Sequence, residues 1–202
     1  EKHINDLLKK LSQNHFVAIV GTSGSGKSSL VRAGLLPAIH SGKLSNDGSD
    51  WLITTLKPGN TPVRNLAESL ISKGVFGSDD VTQNESKLEH TEKLLQASRL
   101  GLVQAVRGLL PANKNLLILL DQFEETFRYS GQGMQYNDED ATLFVNLIID
   151  AVKQRDVPIY VVLTIRSDFL GDCARFEELP EAINDGHYLV PRLTKEQNKM
   201  AI

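Results

Sequence analysis

The residues best suited to chemistry stand together near the start of the chain: Gly21-Thr22-Ser23-Gly24-Ser25-Gly26-Lys27-Ser28-Ser29. Glycines at 21, 24 and 26 let the backbone fold tightly enough for successive N–H groups to converge on one point. The spacing G-x-x-x-x-G-K-[ST] suits a chain of phosphates. Backbone amides cradle the oxygens, Lys27 reaches the outer phosphates as a point charge, and the Ser28 hydroxyl ligates Mg²⁺. A flexible glycine–serine linker would share the composition. The context favours the cradle, because an apolar run, 16–20, leads in and a helix-compatible run, 28–38, leads out. Residues 21–29 are the expected nucleotide-contacting set.

A second group ends another apolar run, where Asn115-Leu-Leu-Ile-Leu-Leu delivers Asp121. Mg²⁺ on a nucleotide requires a carboxylate held rigidly at the C-terminal end of a strand, so Asp121 joins Ser28 as an expected metal-side residue. Gln122-Phe123-Glu124-Glu125 follows. Hydrolysis needs a group that orients and deprotonates water, and a carboxylate just past the metal-side Asp can do this. The adjacent position is Gln122, which leaves Glu124 or Glu125. Alternatively, both are surface charges at the positive end of a helix. A third group closes the run 161–165 with Arg166-Ser167-Asp168. If that strand lies between those carrying the phosphate loop and Asp121, Arg166 emerges beside the terminal phosphate and can sense it. The alternative is an Arg166–Asp168 pair within its own turn.

The elements that must position these groups alternate. Apolar strand patterns at 16–20, 51–56, 116–120, 159–165 and, more weakly, 188–190 are separated by helical patterns. This predicts an α/β three-layer sandwich around a five-stranded, mainly parallel sheet. Ile4, Leu7, Leu8 and Leu11 predict a helix ahead of the first strand. Pro62–Ile71 predicts a short helix with Pro at its first turn. Ser86–Leu110 predicts one long helix opened by a Ser86/Glu89 capping box, with Leu88, Leu95, Leu102 and Leu109 forming its core-facing stripe. Gly101 and Gly108 interrupt that helix where another backbone is expected to approach. Stretches 41–50, 74–84 and 130–140 read as loops, the last either a lid or a solvated connection. Thr194 and Gln197 form a capping box opening a helix at 194–202, so the chain is expected to be one domain, 1–202, of a longer protein.

The 202 residues suit one such domain, and the net charge of −3 gives no case for nucleic acid or an anionic membrane as partner. The single cysteine, Cys173, precludes an internal disulfide framework and suits a reducing cytoplasm. The histidines show no metal-ligand spacing. Asn113-Lys114 is not followed by the Asp of a guanine-reading N-K-x-D, which favours ATP over GTP. No L-S-G-G-Q string occurs, against a transporter ATPase.

Together VAIVGTSGSGKSSLVRAGLLPAI, LKPGNTPVRNLAESL, LLILLDQFEETF, VVLTIRSDFLGDCARF and LVPRLTKEQNKMAI resemble the STAND signal-transduction ATPases, specifically the domain called novel STAND NTPase 1. The resemblance implies a sheet of order 5-1-4-3-2, with an added strand between the loop strand and the metal-side strand (the ASCE type). It also implies slow ATP hydrolysis used as a switch, with ATP and Mg²⁺ as cofactors. Asp121 matches the family's metal-binding Asp, Glu124-Glu125 the acidic pair of related NACHT-type ATPases, and Arg166 the end of the sensor strand. Relatives sit in large, mostly bacterial proteins with sensor repeats and effector domains in the same chain, often in antiviral signalling, and form homo-oligomers when active. The competing expectation is a small-molecule kinase, which would want an Arg-rich lid; the segment 130–140 has no Arg.

Overall fold

A computed structural model describes residues 2–44, 50–128 and 138–190. Five parallel strands form one sheet in the order β2-β3-β4-β1-β5. They are β1 (Phe16–Gly21), β2 (Asp50–Leu56), β3 (Lys114–Leu120), β4 (Ile159–Arg166) and β5 (His187–Leu189). Read from the other edge, this is the expected 5-1-4-3-2.

The central strands are continuously apolar because helices cover both faces. On one face α1 (Lys2–Asn14) and the helix after the phosphate loop pack over Val17, Ile19, Leu117, Leu119 and Val162. That second helix runs through α2 (Lys27–Ser29), a π-helical stretch (Leu30–Leu35) and α3 (Leu36–His40). On the other face α4 (Pro62–Leu70), α5 (Val81–Ala97), α6 (Gly101–Leu109), α8 (Asp138–Lys153) and α9 (Leu179–Gly186) cover Phe16, Ala18, Val20, Leu116, Ile118, Leu120, Val161 and Leu163. Burying each such aliphatic side chain contributes about 1.5–3 kcal/mol. β3 and β4 are therefore rigid mounts for whatever stands at their ends. The short α7 (Glu125–Arg128) follows the Asp121 turn.

Four sequence expectations need correction. The single helix over 86–110 is two helices, broken where Ser98 is fully extended (φ −166°, ψ 165°). Leu95 and Leu102, seven residues apart, are both fully buried, but from different helices. The expected Ser86/Glu89 box lies inside α5; the cap is Asp80, whose side chain accepts from the Gln83 N–H at 3.2 Å. The helix thus begins inside the stretch 74–84 that reads as loop. Gly101 does sit at a close approach: a Cβ there would lie 2.1 Å from the Leu94 carbonyl oxygen. Gly108 does not, for open space surrounds it. The 194–202 helix and most of the 130–140 loop lie outside the described residues, though Asp138–Asp140 open α8.

Candidate nucleotide-binding site

Register brings the chemistry together. Gly21 of β1 pairs with Arg166 of β4, and Leu120 of β3 with Leu163 of β4. All three strands therefore end at one rim, with Asp121 one residue beyond β3 and level with Thr164. From Gly21 the loop turns through Gly24 (φ 71°) and Gly26 (φ 85°), left-handed conformations that L side chains rarely adopt. Gly26 precedes the first turn of α2 without any side-chain cap, so that turn's N–H groups stay available to an anion. A Cβ at Gly21 would lie 2.5 Å from the Ser25 hydroxyl oxygen, so any larger residue there would make the Ser25 side chain shift.

Lys27 folds back over the loop, its ammonium donating to the carbonyls of Gly21 and Thr22 at 2.9 Å each. Burial lowers its pKa from the ordinary lysine value; Glu124 opposes the fall and Arg166 adds to it. The Ser28 hydroxyl donates to Asp121 Oδ1 at 3.2 Å. Asp121 is buried and also accepts from the Thr164 hydroxyl at 2.8 Å and from Arg32 Nη2 at 2.9 Å.

The turn after Asp121 is stitched to β4. Gln122 is left-handed (φ 58°) and donates its N–H to Thr164 Oγ1 at 2.9 Å, and the Phe123 N–H donates to the Thr164 carbonyl at 2.9 Å. This turn carries Gln122 outward and Glu124 inward. Glu124 is buried and accepts from the Arg166 N–H at 3.3 Å. Glu125 opens α7 and lies outside the lining of the cavity. Arg166 does line it, and it also pairs with Asp168 through both Nε (3.3 Å) and Nη2. That pairing raises the Arg166 pKa and lowers that of Asp168. The two sequence readings of Arg166 are therefore compatible in geometry.

The resulting cavity, about 320 Å³, is lined by residues 23–29 with Gln122, Glu124, Thr164 and Arg166. Its donors suit a phosphate chain. The hard oxygen pair of Ser28 and Asp121 behind it suits Mg²⁺, which binds through few protein oxygens and keeps several waters. Sequence reasoning passed over Thr164 and Arg32. Thr164 was visible as the polar residue inside an apolar run, and Arg32 as the residue four beyond Ser28, on its helical face.

A parallel sheet with a phosphate loop after β1, an aspartate after β3 and a strand between them defines an α/β P-loop NTPase fold. A model of the novel STAND NTPase 1 family matches residues 1–202, and the chain belongs to that family. No curated protein matches it in sequence. Among solved structures it is similar to a chain of the E. coli MS115-1 HORMA:CdnC:Trip13 complex, with TM-score 0.56 and 16% identity over 97% of this chain and 64% of that one. It is similar also to the Aeropyrum pernix ORC2 protein, solved as ADPNP-ADP complexes, with TM-score 0.55 and 16% identity over 98% of this chain and 48% of that one. The chain thus spans less than two thirds of either neighbour, and at this identity the likeness is one of fold. Among the described residues no helix is long and apolar enough to cross a membrane.

Proposed function

We propose that the chain is the ATP-binding, slowly hydrolysing switch domain of a larger cytoplasmic signalling or defence protein. Its ATP-bound state assembles into a homo-oligomer that controls an effector in the same chain. The observation that carries this reading is the convergence of Lys27, Ser28, Glu124, Thr164 and Arg166 around one cavity, backed by buried Asp121.

The loop amides and Lys27 hold the β- and γ-phosphates; Lys27 does so by exchanging its bonds to the Gly21 and Thr22 carbonyls for charge-assisted ones. Ser28 and Asp121 are the residues that would hold Mg²⁺ bound with the nucleotide, and the metal would supply positive charge against the phosphate oxygens. Glu124 orients a water and accepts its proton; its hydrogen bond from the Arg166 N–H fixes the carboxylate's direction. Arg166 grips the γ-phosphate and so distinguishes ATP from ADP.

The test is calorimetry of ATP·Mg²⁺ binding to the wild type and to Lys27→Ala. Charge-assisted hydrogen bonds contribute about 1.5–3 kcal/mol, so the variant should bind roughly tenfold to a hundredfold more weakly. Equal affinities would rule out phosphate binding at this loop. Phosphate release without any added acceptor separates hydrolysis from kinase activity.

A further inference from the structure

Asp121 already has a cation beside it. Its carboxylate is only 5% exposed in side-chain terms, and Arg32 Nη2 reaches its Oδ2 at 2.9 Å from a side chain that is 58% exposed. Oδ1 takes the Ser28 and Thr164 hydroxyls at 3.2 and 2.8 Å. The two oxygens are thus divided: neutral donors on one, the guanidinium on the other. A buried carboxylate without a counter-charge is costly, so something positive must stand there whether or not a metal does. Arg32 can fill that role and also leave it. Its side chain is more than half exposed, so the guanidinium can swing into water when another cation takes its place. It departs from the π-helical stretch Leu30–Leu35, a local widening of the helix of the kind that often marks functional positions. Ser28, one turn earlier on the same helix, touches the same carboxylate.

We propose that Arg32 is a tethered stand-in for Mg²⁺: it neutralises and aims Asp121 in the nucleotide-free protein and is exchanged for the metal when Mg²⁺·nucleotide arrives. This rests on the reading of Ser28 and Asp121 as the Mg²⁺ side of a nucleotide site. Two cations on the two oxygens of one carboxylate repel each other, and the one negative charge cannot neutralise both. Arg32 therefore competes with Mg²⁺ and sets the Mg²⁺ concentration at which nucleotide binding tightens. It is a positioning residue, acting on the nucleotide only through Asp121.

The experiment titrates Mg²⁺ against binding of a fluorescent ADP, a ligand that involves no turnover, for wild type, Arg32→Gln and Arg32→Lys. With the competitor removed, Arg32→Gln should lower the half-saturating Mg²⁺ concentration about five- to tenfold. Its nucleotide-free Tm should fall while its Mg²⁺·ADP-bound Tm stays near wild type. Arg32→Lys, which keeps the charge but loses the planar fork, should shift the half-point by about twofold in the same direction, and it carries the test should Arg32→Gln not fold. A half-point that is unchanged or raised in the variants, with Mg²⁺-dependent binding intact in the wild type, overturns this inference alone. Wild-type binding indifferent to Mg²⁺ overturns it together with the metal-side reading of Ser28 and Asp121.

Discussion

Glu124 and Glu125 are adjacent and chemically equivalent, yet they have different surroundings. Glu124 is buried against the Arg166 N–H and faces the phosphate loop; Glu125 begins α7 at its positive end. The difference arises from Gln122, whose left-handed backbone lets the turn bring Glu124, two residues on, inward. General-base catalysis contributes about 10²–10⁴-fold, so Glu124→Gln should lose most turnover while still binding ATP. Glu125→Gln should remain within about twofold of wild type, since removing a charge at a helix N-terminus costs about 0.3–1 kcal/mol of stability and nothing at the cavity. Single-turnover phosphate release on both variants is the measurement. Equal losses, or a greater loss from Glu125→Gln, would reverse the assignment.

At the scale of elements, the site depends on how strands end and how helices brace them. β3 and β4 are fixed by side chains from both faces, and the helical layer behind β3 closes through the α5–α6 corner. There Gly101 admits the Leu94 carbonyl to a distance no Cβ tolerates. Gly101→Ala should therefore push the two helices apart and destabilise the fold by about 1–3 kcal/mol, the usual cost of overpacking. Gly108→Ala is the matched comparison. It lies inside α6 in open space, so the replacement should stabilise by about 0.5–1 kcal/mol. Urea melts of both proteins give the two signs. A neutral Gly101→Ala would mean the corner relaxes freely.

For the whole molecule, a switch requires a group that meets ATP and ADP differently, because a ligand shifts an equilibrium only through differential affinity. Arg166 stands at the cavity on the strand between the phosphate loop and Asp121, and its guanidinium is held by Asp168 and lies 5.3 Å from the centre of the Phe169 ring. Under the proposed switch, Arg166→Ala should bind ADP almost normally yet show roughly tenfold less preference for ATP, and it should fail to assemble with ATP. Light scattering with a non-hydrolysable ATP analogue reads this out. Wild-type-like assembly would leave Arg166 with only its structural pairing to Asp168.

The strands, their parallel sheet and the phosphate loop were legible in the sequence because their signals are local. Continuous apolar runs such as 116–120 need two covered faces, and glycines at 21, 24 and 26 need a backbone that turns tightly. Asp121 and Arg166 were legible as polar residues ending apolar strands. The break between α5 and α6 was not, since the leucine spacing continues across it and only packing assigns Leu95 and Leu102 to different helices. Nor was the placing of Glu124 rather than Glu125 at the cavity, which depends on a turn pinned to Thr164 of another strand. The contacts of Arg32 and Thr164 with Asp121 join residues 89 and 43 positions apart. Sequence can show that each residue is polar, but strand register and the path of the helix after the loop decide that all three meet.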